Sequence, residues 1–200
     1  MKNIKWIVIA AVLAIVAFSI FSSDDGTYQT EVNQQIEERI SYLKNSSQSP
    51  FKLHNIPFNT PEYFEIDERF RVNAKVERLS DREFVQLQTS DGKSKRYQKF
   101  AWLHFTLDDE DMKLLVLRPW GLGEKASLFL AFADDTSGET TYGGGRYLDI
   151  EIGKSNKVVL DFNLAYNPYC AYASAYSCPL PPNENILKYP VLAGEKSFLN

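Results

Sequence analysis

A mainly β domain, an antiparallel sandwich or barrel, is the fold this sequence predicts. A membrane-spanning N-terminal helix and one amphipathic helix precede it. Three observations carry the prediction. From Phe70 onward apolar residues recur at every second position. Turn-forming residues interrupt these runs at short intervals. Aromatic residues make up 14% of the 200 residues, with 13 Phe and 11 Tyr, and suit a pleated, half-buried surface.

The first element is the uncharged apolar run from Trp6 to Phe21, with Lys2 and Lys5 before it and Asp24 and Asp25 after it. As a helix it extends roughly 24 Å at about 1.5 Å per residue. That is slightly short of a ~30 Å hydrocarbon core, so Ile4, Ser22 and Ser23 fall near the interfaces. Phe21-Ser22-Ser23 matches a signal-peptidase site poorly, and no lipoprotein cysteine follows. Residues 1–23 are therefore read as an uncleaved signal anchor. A cleaved, secreted form is the alternative. With the lysines inside, residues 24–200 face the extracytoplasmic side of a single-pass bacterial membrane protein.

Tyr28, Val32, Ile36, Ile40 and Leu43 repeat at helical spacing, so residues 24–50 hold an amphipathic helix and a linker. Residues 51–200 form the β-rich domain. Expected strands are Phe70 to Glu77, Glu83 to Gln88, Tyr97 to Leu107, Met112 to Arg118 and Leu128 to Phe132. Ser90-Asp91-Gly92 and the acidic stretch from Asp108 to Asp111 are turns. Arg146 to Ile152 and Lys157 to Phe162 read as a hairpin across Gly153 to Asn156. Pro168, Pro179, Pro181, Pro182 and Pro190 exclude long regular elements from the last forty residues, which are expected to wrap the sheet.

The net charge of −4 excludes a nucleic-acid partner, whose phosphates need a basic footprint. It argues equally against docking on anionic lipid. Cys170 and Cys178 are the only cysteines. In an oxidising compartment they are a candidate disulfide, with two free buried thiols as the alternative. His54 and His104 stand far from them in sequence, so no metal site is expected. No motif names a cofactor.

The loop from Asp134 to Gly145 contains Tyr142 and leads into Arg146. It lacks GK[ST], so it is not a phosphate loop. In the hairpin, pairing Ile152 with Val158 sets Asp149 opposite Asp161 and Tyr147 opposite Asn163, with Glu151 beside them. Like charges placed so require solvent, a cation, a hydrogen-bond network or an arginine. Arg146 lies in phase with Leu148, Ile150 and Ile152. It is expected to pair with Asp134, Asp161 or Glu184, or with a ligand anion, because burying it alone is costly. Asn163 and Asn167 suit either the holding of irregular backbone or the orientation of a ligand. Glu184 and Asn185 return toward the domain. The candidate ligand-binding residues are thus Tyr142, Arg146, Asp161, Asn163, Asn167, Glu184 and Asn185.

The stretches FADDTSGETTYGGGRYLDIE (132–151), LDFNLAYNPYCAY (160–172), CPLPPNEN (178–185) and AGEK (193–196) resemble, in order, the bacterial "domain of unknown function 1684" family. Residues 51–76 resemble its looser N-terminal half. CAYASAY (170–176) stands where that family carries a Pro-containing stretch, which affects local loop shape. The resemblance implies a bacterial, often exported or membrane-attached protein and assigns no reaction.

The leading expectation is a non-catalytic binding or accessory module for a small molecule or an envelope protein. No nucleophile elbow, HExxH or metal-ligand cluster opposes it. The alternative is a hydrolase on a cell-envelope or sugar substrate. It would use Asp149, Asp161 and Glu184 with Arg146 as a clamp, in one version around a cation. A purely structural envelope protein is a third reading.

Overall fold

The computed structural model describes residues 26–123 and 126–198. The expected membrane segment over 6–21 lies outside them. Among the described residues no helix is long and apolar enough to cross a membrane. The chain divides into two units, Met1–Arg39 and Ile40–Asn200.

In the first unit the described residues, 26–39, are helical, and this helix (α1) continues to residue 45. Its least exposed positions include Tyr28, Val32 and Leu43, the apolar stripe expected from the spacing. A short helix missed in the sequence, α2 (Pro50–Leu53), follows in the second unit. Ser49 caps it by accepting from Lys52 N at 3.2 Å, and Pro50 occupies its first turn, where no backbone N–H is needed.

The rest of the second unit is antiparallel β: β1 (Arg71–Arg78), β2 (Phe84–Gln88), β3 (Ser94–Leu107), β4 (Glu110–Pro119), β5 (Leu130–Phe132), β6 (Arg146–Leu148) and β7 (Lys157–Asp161). Long β3 is the hub. Its first half pairs with β2 and its second half with β1 on one side, while β4 runs along the other. β7 adds to β1, and β5 and β6 form a separate two-stranded sheet. Leu117 and Phe129 join that small sheet to β4 through two backbone hydrogen bonds. Asp108 and Asp109 both have positive φ, 47° and 63°, as a two-residue hairpin turn between right-twisted strands requires.

β4 is covered on both faces, which explains its continuous run Leu114-Leu115-Val116-Leu117. Leu114 and Val116 enter the main core with Leu103, Phe105, Phe132 and Phe162. Leu115 and Leu117 enter a second cluster with Leu87 and Tyr97.

One expected element is corrected. Residues 146–162 do not form a hairpin. β6 pairs with β5, with Arg146 opposite Phe132, and β7 pairs with β1, with Asp161 opposite Arg71. Asp149 therefore does not face Asp161. The long-range pairing places an arginine opposite Asp161 where the local one would have placed a second carboxylate. After Asp161 the chain contains only short 3-10 turns, at Phe162–Leu164, Tyr169–Ala171 and Asn183–Asn185, in the expected irregular wrap.

Candidate functional site

The residues singled out in the sequence are mostly fasteners of that wrap. Arg146 is 1% exposed and Asp134 5%. Arg146 Nη2 lies 2.9 Å from Asp134 Oδ2 and also donates to Val191 O at 3.0 Å. Nη1 donates to the carbonyl of Ala193 and to Glu195 O at 3.5 Å. Burial pulls the guanidinium pKa down, and the Asp134 charge opposes that. The expected ion pair is present, and its partner is Asp134.

The asparagines act as backbone clamps. Asn163 Oδ1 accepts from Asp67 N at 3.0 Å, and its Nδ2 donates to Asp67 O at 2.9 Å. Asn185 grips Leu115 in the same two-point manner and adds Ala131 O at 2.8 Å. Asn167 donates from N and Nδ2 to the two carboxylate oxygens of fully buried Glu195, at 3.0 and 2.9 Å. Tyr172 OH completes that carboxylate at 2.6 Å. Glu195 was not foreseen, because a single Glu in AGEK gives no signal of burial.

The remaining candidates scatter. Asp161 caps the turn after β7 by accepting from Asn163 N at 3.1 Å. Asp149 accepts from Tyr166 OH at 2.7 Å. Glu184 is exposed and lies 3.6 Å from Lys99 Nζ. Tyr142 OH donates to Cys170 Sγ at 3.6 Å. Cys170 and Cys178 are adjacent free thiols in this structure, and Cys170 N donates to Cys178 Sγ at 3.2 Å. Arg146 and Asn167 meet through Glu195, but no described cavity is lined by both. Among the described residues no group of three or more His, Cys, Asp or Glu is placed to hold a metal ion.

The sheet itself offers a groove that the sequence reading missed. Phe84 pairs with Gln98, and Gln98 with Arg118, so the three form one row across β2, β3 and β4. Val85, Tyr97 and Leu117 turn to the opposite face, into the second core cluster. Arg96, two residues before Gln98, lays its guanidinium 4.0 Å from the Phe84 ring centre and 5.1 Å from that of Trp120. Trp120 meets Phe84 edge to face at 4.7 Å and is 55% exposed. Arg82, Phe84, Gln98, Arg118 and Trp120 border a cavity of about 480 Å³, and Arg96 stacks against its Phe84 and Trp120 walls.

The groove is cationic. Arg82, Arg96 and Arg118 have no acidic partner among the described residues. Arg118 stacks on Phe100 at 4.4 Å, and its buried Nε has no hydrogen-bond partner. A planar apolar surface, an amide and the Arg82 and Arg118 residues line the groove, and the Arg96 guanidinium stacks against its aromatic wall. Such a set can stack a flat ring and neutralise an anion.

The irregularity that brings Gln98 onto the same face as Arg118 is a bulge at Phe100 of β3. Below it Ala101 pairs with Val116; above it Lys99 pairs with Leu117. Counting back from Leu107 and Glu110 without the bulge puts Pro119 opposite Gln98 and turns Gln98 to the face away from Arg118.

Comparison with known proteins agrees with these motifs. The chain is similar to the solution NMR structure of the uncharacterized protein from gene locus rrnAC0354 of Haloarcula marismortui. The two share 36% identity over 88% of this chain and 98% of that one, with a TM-score of 0.66. No curated protein matches. The family model described as "Protein of unknown function (DUF1684)" matches residues 57–196, the span that holds the clamps and the groove, and the chain belongs to that family.

Proposed function

We propose that this protein is a non-catalytic binding module and that the Arg118 groove takes a small acidic sugar. The observation that carries this reading is an exposed tryptophan with Arg82 and Arg118 beside it in one groove and Arg96 stacked on its ring, all three arginines without an acidic partner among the described residues, in a chain of net charge −4. Trp120 supplies a face for the apolar side of a pyranose ring. Gln98 suits its hydroxyls, and the arginines suit its carboxylate. We further propose that residues 6–21 anchor the module in a membrane with residues 24–200 outside. The apolar run behind Lys2 and Lys5 supports this reading.

The test is titration with galacturonate and glucuronate oligomers against neutral oligomers of the same length, read by tryptophan fluorescence and calorimetry. Salt-sensitive binding of the acidic oligomers, weakened at least about tenfold in Arg118→Ala and Trp120→Ala, is the expected result. Equal affinity for neutral oligomers, or no saccharide binding, overturns the reading. The hydrolase alternative has less support, because Asp149, Asp161 and Glu184 are each engaged by a different partner.

A further inference from the structure

Cys170 and Cys178 form a second site, which shares no lining residue with the arginine groove. Their segments are anchored separately. Cys178 is fixed to the β2–β3 turn: its N donates to Ser90 Oγ at 3.1 Å, and its carbonyl accepts from Ser90 N at 2.9 Å. Lys95 Nζ donates to the neighbouring Ser177 O at 2.8 Å, and Ser177 Oγ donates to Asp91 at 2.7 Å. Cys170 sits in a 3-10 turn that begins just after the Asn167–Glu195 clamp.

The two thiols have unlike surroundings. Cys178 is 8% exposed, whereas Cys170 is half-buried. Cys170 lines an open cavity of about 470 Å³ with Ile56, Pro57, Asn59, Ala173 and Ser174. Tyr142 OH points at Cys170 Sγ, and Cys170 N points at Cys178 Sγ. The Cys170 sulfur is thus reachable and accepts from the Tyr142 hydroxyl, while the Cys170 N–H donates to Cys178. The Cys178 sulfur is sheltered against it. A thiol–disulfide exchange site divides its cysteines in this way, into an attacking and a resolving thiol.

We propose that Cys170 and Cys178 are a redox-active dithiol that reduces small-molecule disulfides. The Cys170 thiolate attacks one sulfur of R–S–S–R, the S–S bond breaks, and RS⁻ leaves. Cys178 then loses its proton and attacks Cys170 Sγ in the mixed disulfide, expelling a second RS⁻. The two protein thiols are oxidised to one disulfide. One R–S–S–R is reduced to two RSH, which take up the two protons.

The electrostatics agree with this division. The Cys178 thiol, with support from Tyr142 and Ser90, holds Cys170 down to about 6, while the same bond and burial push Cys178 up. The titratable neighbours that act on the pair are Tyr142 from the 134–145 loop, Tyr147 of β6, Tyr176 of the intervening loop and Lys95 of β3.

The test uses reduced full-length protein and oxidised glutathione, read by intact mass. Wild type is expected to gain an internal disulfide without a lasting adduct. Cys178→Ser is expected to trap one glutathione, and Cys170→Ser to trap it at least about tenfold more slowly. Alkylation of wild type by iodoacetamide, which needs no variant to fold, is expected to reach half its limiting rate near pH 6, and Tyr142→Phe to raise that midpoint. Failure of wild type to oxidise, equal trapping by both single variants, or an alkylation midpoint near the ordinary thiol value overturns the proposal.

Discussion

The side chain of Asn185 pairs with Leu115 as a neighbouring strand would. Its Oδ1 accepts from Leu115 N at 2.6 Å, and its Nδ2 donates to Leu115 O at 2.9 Å. Both residues are fully buried. Water therefore cannot replace the amide. Asn185→Ala is expected to destabilise the domain by about 2–4 kcal/mol in urea unfolding, because buried backbone groups of β4 and β5 lose their partner. Asn185→Asp, which keeps the acceptor and removes both donors, should fail to rescue it. A loss below about 1 kcal/mol would show that β4 does not need this clamp.

Arg146 and Asp134 should behave as a coupled pair. Arg146→Met leaves a buried carboxylate and is expected to cost about 3–5 kcal/mol. Asp134→Asn in the same chain removes that stranded charge. The double variant should therefore be more stable than the sum of the single losses predicts, as a double-mutant cycle by chemical denaturation would measure. Simple additivity would mean that the two charges do not interact in the folded state.

Much of this arrangement was legible in the sequence. Alternation gave β1, β3 and β4, the Asp108–Asp109 and Gly92 turns gave their connections, and the phase of Arg146 gave its burial and a short list of partners that included Asp134. The failures share a cause: they depend on which distant strand wins. Nothing local signals that Asp161 pairs with Arg71 across ninety residues of chain, in preference to a neighbour across Gly153 to Asn156. The groove was hidden for a related reason. Its row is set by turns that can be read and by a bulge between Lys99 and Ala101 that cannot, and one residue of slip changes the face on which Gln98 lies.

Gly194 should be intolerant of a side chain. Its φ is 77°, and a Cβ there would lie 2.7 Å from the carbonyl oxygens of both Phe162 and Ala165. Gly194→Ala is expected to lower stability by about 2 kcal/mol or more, from backbone strain added to the steric clash. Gly153→Ala, where nothing lies within 4 Å, is the control and should change stability little. Similar unfolding midpoints for the two variants would contradict this.

The thiol pair gives the reduced protein a pH signature. The fold favours the Cys170 thiolate, so that stabilisation is complete above the ordinary thiol pKa of about 8.5 and disappears as pH falls through about 6. The fold favours protonated Cys178, so its contribution runs the other way and is lost as pH rises beyond the ordinary value. The stability difference between reduced wild type and Cys170→Ser should therefore decline between pH 8.5 and pH 6, as thermal unfolding in the presence of a reductant would detect. A difference that stays flat across this window would place both thiols at ordinary values.

The carbonyls that receive Arg146 belong to Val191, Ala193 and Glu195, and the carboxylate that receives Asn167 is that of Glu195. During synthesis these groups leave the ribosome after every strand has already emerged. Until then Arg146 and Asn167 lack these partners, though Arg146 still has Asp134; water must stand in for the missing carbonyls and carboxylate, and the main core must stay open enough to admit it. The nascent chain is thus held short of its native packing until residues 191–195 arrive, and a stalled product ending before Val191 would present a hydrated, unsealed core to proteases and chaperones.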